Sequence, residues 1–248
     1  MPALHFLGTG AAFTDAHRTT AMLAFTDGPH TLVVDCGGDV VQRVQAAGID
    51  LDTIDAMIVT HEHPDHVAGF PLFMEKLWLA GRRRPVPVYG IRPAIDQARR
   101  CFEVFDTSQW KGLPEIEWHE VAHEEGALVL EDDRWRVTAA PGRHSVPVVG
   151  LRVESKTSGR VVAYSCDTQP SDAIARLSRG ADVLVHEANG AGPVHSSPEE
   201  AADIARRAGA GRLILIHVPP GLTPADLAGA RAIFAETEIA EELGQIAF

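Results

Sequence analysis

The sequence has no run of about 18 consecutive apolar residues, the minimum for a helix that crosses a bilayer, so no membrane span is expected. Met1 to Gly10 lack the basic start, apolar stretch and small-residue cleavage site of a secretory signal, and read instead as a first strand. Cysteine is scarce. Cys36, Cys101 and Cys166 are odd in number and far apart, which argues against a disulfide framework and for a cytoplasmic location. Positive charge is short as well. With 22 Lys+Arg against 34 Asp+Glu, a net charge of −12, the surface on average repels polyanions. Bulk nucleic-acid binding is therefore not expected as the main role, although a local basic patch stays open. Neither Gly (22) nor Pro (16) is enriched, and no repeat, linker or low-complexity tract interrupts the chain. Collagen-like and disordered classes fall away, and residues 1–248 are expected to form one domain.

What is present alternates between short apolar runs and helical patterns. Leu4–Leu7, Ala21–Phe25, Thr31–Val34, Ala56–Thr60 and Val86–Tyr89 read as strands. Ile116–Val121, Trp135–Ala139, Val148–Glu154, Arg160–Ser165, Ala181–His186 and Leu213–His217 read the same way. Helices are expected at Val40–Ala47 before Gly48, from Pro71 to Leu79, at Pro93–Phe102, at Ser171–Leu177 and after Thr223. Ser197-Pro198-Glu199-Glu200 combines a Ser cap, Pro at the first position and acids in the first turn, so a helix should run from there to about Ala208. Strands first, then strand–helix alternation, predict a layered α/β domain.

Histidine is the unusual component, with 12 residues. The strongest feature is Thr60-His61-Glu62-His63-Pro64-Asp65-His66, fed directly by the apolar strand Ile54–Val59. Three imidazoles and two carboxylates in so short a stretch cannot all be buried without partners. Nitrogen and oxygen donors of this kind suit zinc, iron or manganese; the bland alternative is a solvated polar turn. One ion rarely takes four ligands this close together. A tight turn at Pro64 would send His61 and His63 one way and Asp65 and His66 another, which predicts two metal ions about 3.5–4 Å apart. Further donors must then come from elsewhere. His144 lies in a turn between two strands, and Asp167 and His217 each follow a strand end, where each alone could equally be a capping or core-satisfied residue.

His61-x-His63-x-Asp65-His66 followed in order by His144, Asp167 and His217 resembles the metallo-β-lactamase superfamily over essentially the whole chain. Leu7-Gly8-Thr9-Gly10 and Val34-Asp35-Cys36-Gly37 resemble its N-terminal strands. The resemblance implies a four-layer αβ/βα sandwich with its site at one sheet edge. It also implies that His61, His63 and His144 hold one ion, that Asp65, His66 and His217 hold the second, and that Asp167 bridges them. Within the superfamily the chain is most similar to the ribonuclease Z and phosphodiesterase branch, on Thr9-Gly10-Ala11-Ala12 with Arg18 and on His195-Ser196-Ser197 before a helix. That branch uses a histidine at the His195 position to assist phosphodiester cleavage; otherwise His195 is a neighbour of a helix cap. Asp65 and His195 are the catalytic candidates. Two departures are visible. Only Ser145 to Cys166 separate the third histidine from the bridging aspartate, leaving no room for the tRNA-gripping arm of the tRNA-processing members, and Cys166 stands where a glycine is usual.

These implications describe a hydrolase with two divalent transition-metal ions, zinc first and manganese or iron as alternatives. Two cations sharing a bridging oxygen lower the pKa of water toward about 7 and stabilise charge building on substrate oxygens. The expected substrate is a small anionic phosphodiester, cyclic or nucleotide-like. A tRNA 3′ processing endoribonuclease is the alternative, as is an ester, lactone or thioester hydrolase on the same metals; outside enzymes, a metal-stabilised binding module. A homodimer is open and no membrane partner is expected. Arg82-Arg83-Arg84 could hold a phosphate but reads more simply as a solvated loop. His186-Glu187 could orient a ligand or simply satisfy the core. The four tryptophans read as core or interface, and His5, His17, His30, His119 and His123 carry no site context.

Overall fold

A computed structural model describes residues 1–248. The first half builds β1 (Ala3–Gly8), β2 (Met22–Asp27), β3 (His30–Val34), β4 (Ile54–Val59), β5 (Val86–Ile91) and β6 (Ile116–Val121), with helices α1 (Val40–Ala46), α2 (Pro64–Val67), α3 (Phe70–Leu79) and α4 (Arg92–Glu103) between them. The second half builds β7 (Ala127–Glu131), β8 (Trp135–Pro141), β9 (Val149–Ser155), β10 (Val161–Tyr164), β11 (Val183–Glu187), β12 (Leu213–Ile216) and β13 (Thr237–Ile239). Its helices are α5 (Asp172–Leu177), α6 (Pro198–Ala208) and α7 (Ala228–Ile233). The last strand, β14 (Gln245–Ala247), returns to pair antiparallel with β1. Two seven-stranded sheets result, ordered β14-β1-β2-β3-β4-β5-β6 and β13-β12-β11-β10-β9-β8-β7.

Side-chain alternation shows how the layers stack. In β12, Ile214 and Ile216 enter the large core while Leu213 and Leu215 face a second cluster, and in β11 Val183 and Val185 divide from Leu184 in the same way. A strand whose two faces are both covered has no polar face, which is why Leu213–Ile216 is apolar throughout. The large core joins residues of both sheets to α1, α3 and α4, and the smaller cluster lies under α5, α6 and α7. The order helix, sheet, sheet, helix is the αβ/βα sandwich expected from the sequence.

Two local readings change. β7 carries an alternation too short to have stood out in sequence and becomes the edge of the second sheet. The helix expected after Thr223 is a short 3₁₀ turn, Pro224–Leu227, running into α7. In the Arg82–Arg84 loop, Arg83 and Arg84 are exposed as expected, but Arg82 is not. Arg82 is buried, donating from Nη1 to the Ile54 carbonyl at 2.7 Å and from Nη2 to the Pro85 carbonyl at 2.8 Å. Arg84 donates to the carbonyls of Asp52 at 2.6 Å and Ile54 at 2.7 Å. Burial, with Arg84 beside it, brings the Arg82 guanidinium down to about 10. Arg82 and Arg84 satisfy strand-entry carbonyls.

Candidate metal centre

β3, β4 and β5 run parallel in one sheet, as do β10, β11 and β12 in the other, and their carboxyl ends open on the same edge of the molecule. In α/β sheets this is where ligands collect. β4 delivers Thr60 and His61. His63 is still extended (φ −66°, ψ 147°), and Pro64 then starts α2, which carries Asp65 and His66. The change from extended to helical backbone at Pro64 divides the four donors into two pairs. The Asp65 carbonyl packs where a side chain at Gly37 would sit, so only glycine fits there. Three further strand exits turn through the left-handed region: Asp35 (φ 62°) after β3, Cys166 (φ 52°) after β10 and His217 (φ 52°) after β12. Non-glycine residues held there are strained, and such strain clusters at functional sites.

His61 Nε2 and His144 Nε2 lie 3.1 and 3.0 Å from His63 Nδ1, and His144 Nε2 lies 3.8 Å from Asp167 Oδ2. On the other side His66 Nε2 lies 3.4 Å from Asp65 Oδ2 and 3.5 Å from Asp167 Oδ1, and His217 Nε2 lies 3.3 Å from Asp65 Oδ2 and 3.4 Å from Asp167 Oδ2. The seven expected donors fall into two sets, His61/His63/His144/Asp167 and Asp65/His66/Asp167/His217, each within 4.8 Å of one another; His61/His66/Cys166 and Glu187/His195/His217 form two further groupings beside them. Asp167 belongs to both. His66 Nε2 and Asp167 Oδ1 are buried and have no hydrogen-bond partner. Buried polar atoms are nearly always paired, so orphaned atoms facing a cluster of nitrogen and oxygen donors fit a divalent cation.

The far side of each ring is held as well. His66 Nδ1 pairs with Asp35 Oδ2 at 2.8 Å, His144 Nδ1 donates to the Val194 carbonyl at 2.8 Å, and His61 Nδ1 meets Thr60 Oγ1 at 3.1 Å. Such contacts fix the ring that a metal would see. Burial above all, then His66, pushes His61 well below the usual imidazole range, and burial with His144 lowers His63, so both are kept neutral, the ligand form. Burial alone would protonate Asp65 and Asp167, but the neighbouring His217 and His66 outweigh it and hold both carboxyls below their ordinary range.

His195 stands beside both sets, its ring centre 5.1 Å from that of His144 and 5.4 Å from that of His217. It is not part of the α6 cap; Ser197 and Glu200 form that capping box by themselves. Its Nδ1 pairs with Glu187 Oε1 at 2.8 Å. Glu187 is fully buried and also accepts from the backbone N–H groups of Thr168 and Asn189, both at 2.9 Å. Burial opposes a charge on His195, but the bond to Glu187 and its charge outweigh it, so the ring is held above the ordinary histidine range. The neighbouring His186 points to the opposite face of β11 and bonds only the Glu187 carbonyl, at 2.8 Å. Strand alternation thus divides the His186-Glu187 pair into a core residue and a support for His195. Asp35 enters the sequence reading only within the N-terminal resemblance and not as a site residue, although an acid directly after an apolar strand is the signal that found Asp167.

A model of the beta-lactamase superfamily domain matches residues 30–218. The chain belongs to the metallo-β-lactamase superfamily. It is 29% identical to a ribonuclease Z of Methanothermobacter thermautotrophicus, over 98% of this chain and 95% of the relative. It is 32% identical to a ribonuclease Z of a Mycobacterium species, over 91% of this chain and 87% of the relative. The fold superposes on the metallo-β-lactamase fold protein YhfI of Bacillus subtilis with a TM-score of 0.83, at 24% identity and covering 99% and 98% of the two chains. These likenesses put the chain in the ribonuclease Z-like branch, and with the His/Asp clusters they support divalent-metal binding.

Proposed function

We propose that this metallo-β-lactamase superfamily member is a binuclear hydrolase of phosphodiesters, with a small or cyclic nucleotide-like diester as its preferred substrate. The observation that carries the reading is Asp167, one buried carboxylate shared by two donor sets. His61, His63 and His144 would hold one divalent ion and Asp65, His66 and His217 the other, zinc before manganese or iron. Bound ions supply an activated water at neutral pH and neutralise charge on the substrate oxygens.

The chain's own residues do the rest. Seven donors, set on strand exits, on the first turn of α2 and in the turn after β8, would fix the site's geometry and so orient the diester. Glu187 holds the His195 ring by Nδ1, which leaves Nε2 to face the substrate. A protonated His195 donates from Nε2 to a phosphate oxygen or to the leaving alkoxide. Donors come from both sheets, so residues 1–248 act as one unit. No helix is long and apolar enough to cross a membrane, and we place the protein in the cytoplasm.

The names of the ribonuclease Z relatives favour a second reading, tRNA 3′ processing. Against it stand the net charge of −12 and the Ser145–Cys166 interval, which β9, β10 and a turn occupy. A panel of chromogenic phosphodiesters, carboxylic esters, lactones and thioesters, run beside precursor tRNA, tests the proposal. Turnover of diesters above all others supports it; preference for a carboxylic substrate or for tRNA overturns it.

A further inference from the structure

We propose that Phe13 is a specificity-determining residue whose ring, held out from the β1–β2 loop at the rim of the metal centre, stacks on the base of a nucleotide-like diester. The inference deepens the diester reading and rests on it for the placement of the phosphate. Strand directions put the loop at the rim. β3 runs parallel to β4, so both end on the edge that carries the donors. β2 is antiparallel to β3 and β1 to β2, so β1 ends and β2 begins on that same edge. The loop is then stitched to the exit of β12. Val218 donates from its backbone N–H to the Thr9 carbonyl, and Ala11 to the Val218 carbonyl, both at 3.1 Å and one residue beyond His217. Phe13, two residues past Ala11, is 82% exposed.

A single exposed apolar side chain needs no explanation by itself. This one stands on a braced support. Glu242 accepts from Thr9 N–H at 3.0 Å, Thr9 Oγ1 at 2.8 Å, Thr19 N–H at 3.0 Å and Arg43 Nη2 at 2.6 Å. Gly10 N–H donates to the Thr19 carbonyl at 2.8 Å and closes the loop at its base. Thr14 Oγ1 packs where a side chain at Gly10 would sit, so residue 14 folds inward and its neighbour Phe13 is left outside. The polar groups of the loop are spent within the protein. Arg18 Nη1 donates to Thr9 Oγ1 at 2.6 Å and to the Ala240 carbonyl at 3.2 Å, and Asp15 Oδ1 accepts from His17 N–H at 2.8 Å. What the loop offers a ligand is therefore the ring. With the phosphate at the metal centre, the group esterified to it extends over the rim. Any base presents a π-face there, and stacking needs no matched polar partner. A loop already braced loses little freedom when it is used.

The test uses metal-loaded wild type, Phe13→Ala and Phe13→Trp, each checked for native circular dichroism. Adenosine 5′-monophosphate and ribose 5-phosphate, which differ only by the base, are titrated into each by calorimetry. We expect wild type to prefer the nucleotide by about tenfold, the size of a single base–aromatic stack. Phe13→Ala should reduce that preference to within about twofold, and Phe13→Trp should restore it. In turnover of 2′,3′-cyclic adenosine monophosphate, the loss in Phe13→Ala should fall on KM rather than on kcat, because stacking holds ground state and transition state alike. A wild type without preference for the base overturns the inference. So does a preference that survives in Phe13→Ala, or a tryptophan variant no better than alanine. Wild type that cleaves no diester overturns the proposed function instead, and the two titrations still decide the role of Phe13.

Discussion

Replacing Asp167 by alanine removes a carboxylate that faces His66, His217 and His144 at 3.5, 3.4 and 3.8 Å. A negative group between two cations offsets a repulsion that grows steeply at short range. Asp167→Ala should therefore lose metal and activity together in elemental analysis and turnover assays; retention of both ions with normal turnover would remove it from the bridge. His195→Ala should behave differently. It should keep its metal and fold while kcat and kcat/KM fall together, by about 10²–10⁴-fold, because the lost contact belongs to the transition state. The loss should shrink for diesters whose leaving group needs no proton. Metal release by the same variant would make His195 a ligand. Residues of this kind were readable in sequence when an ionisable side chain followed an apolar strand, as for His61, Asp167 and His217. Glu187 was only half readable, because which of His186 and Glu187 points at the site depends on strand register. The support that Asp35 gives His66 was not readable at all, since it joins groups 31 positions apart in sequence.

At the level of elements, helix α6 shows how far local chemistry specifies structure: its Ser cap, first-position Pro and acidic first turn appear as expected, and Gly209 ends it in the left-handed conformation. The strands bearing the site were equally plain because both their faces are covered. β7 and the broken helix after Thr223 were not, since a short half-exposed edge and a 3₁₀ turn carry little periodic signal. Arg82 departs from the solvated loop that Arg83 and Arg84 form. Charge in a row suggested solvent, yet the entry to β4 and the turn before β5 leave carbonyls that only a long cation can reach from one position. Arg82→Ala would strand those carbonyls, at about 1–3 kcal/mol. With roughly 2–4 °C of Tm per kcal/mol in a chain of this size, the melting temperature should fall by about 2–12 °C while KM for a diester stays unchanged. A raised KM with unchanged Tm would restore the phosphate-binding reading.

For the whole molecule, fully loaded protein should contain about two transition-metal ions per chain by elemental analysis, and one or fewer would overturn the binuclear reading. Chelation should abolish turnover and also lower Tm. An ion bound only by the folded state stabilises it by about 2.7 kcal/mol at a hundredfold excess over Kd, which corresponds to roughly 5–10 °C. Ionic strength separates the substrates. On the small-diester reading, a protein of net charge −12 should turn over its substrate almost equally at low and physiological salt. Efficient tRNA cleavage that falls steeply with salt would contradict this.

The division of ligands between the two sheets also sets an order in time. His61, His63, Asp65 and His66 leave the ribosome with the first sheet, whereas His217 is made more than 150 residues later. At synthesis rates of about 5–20 residues per second the interval is roughly 8–30 s. Through most of that interval the nascent first sheet displays a four-donor cluster lacking the groups that confine an ion to its intended place. On the proposed ligand assignment the chain would be only a weak, unselective chelator during translation, and the full centre would form once His217 has emerged.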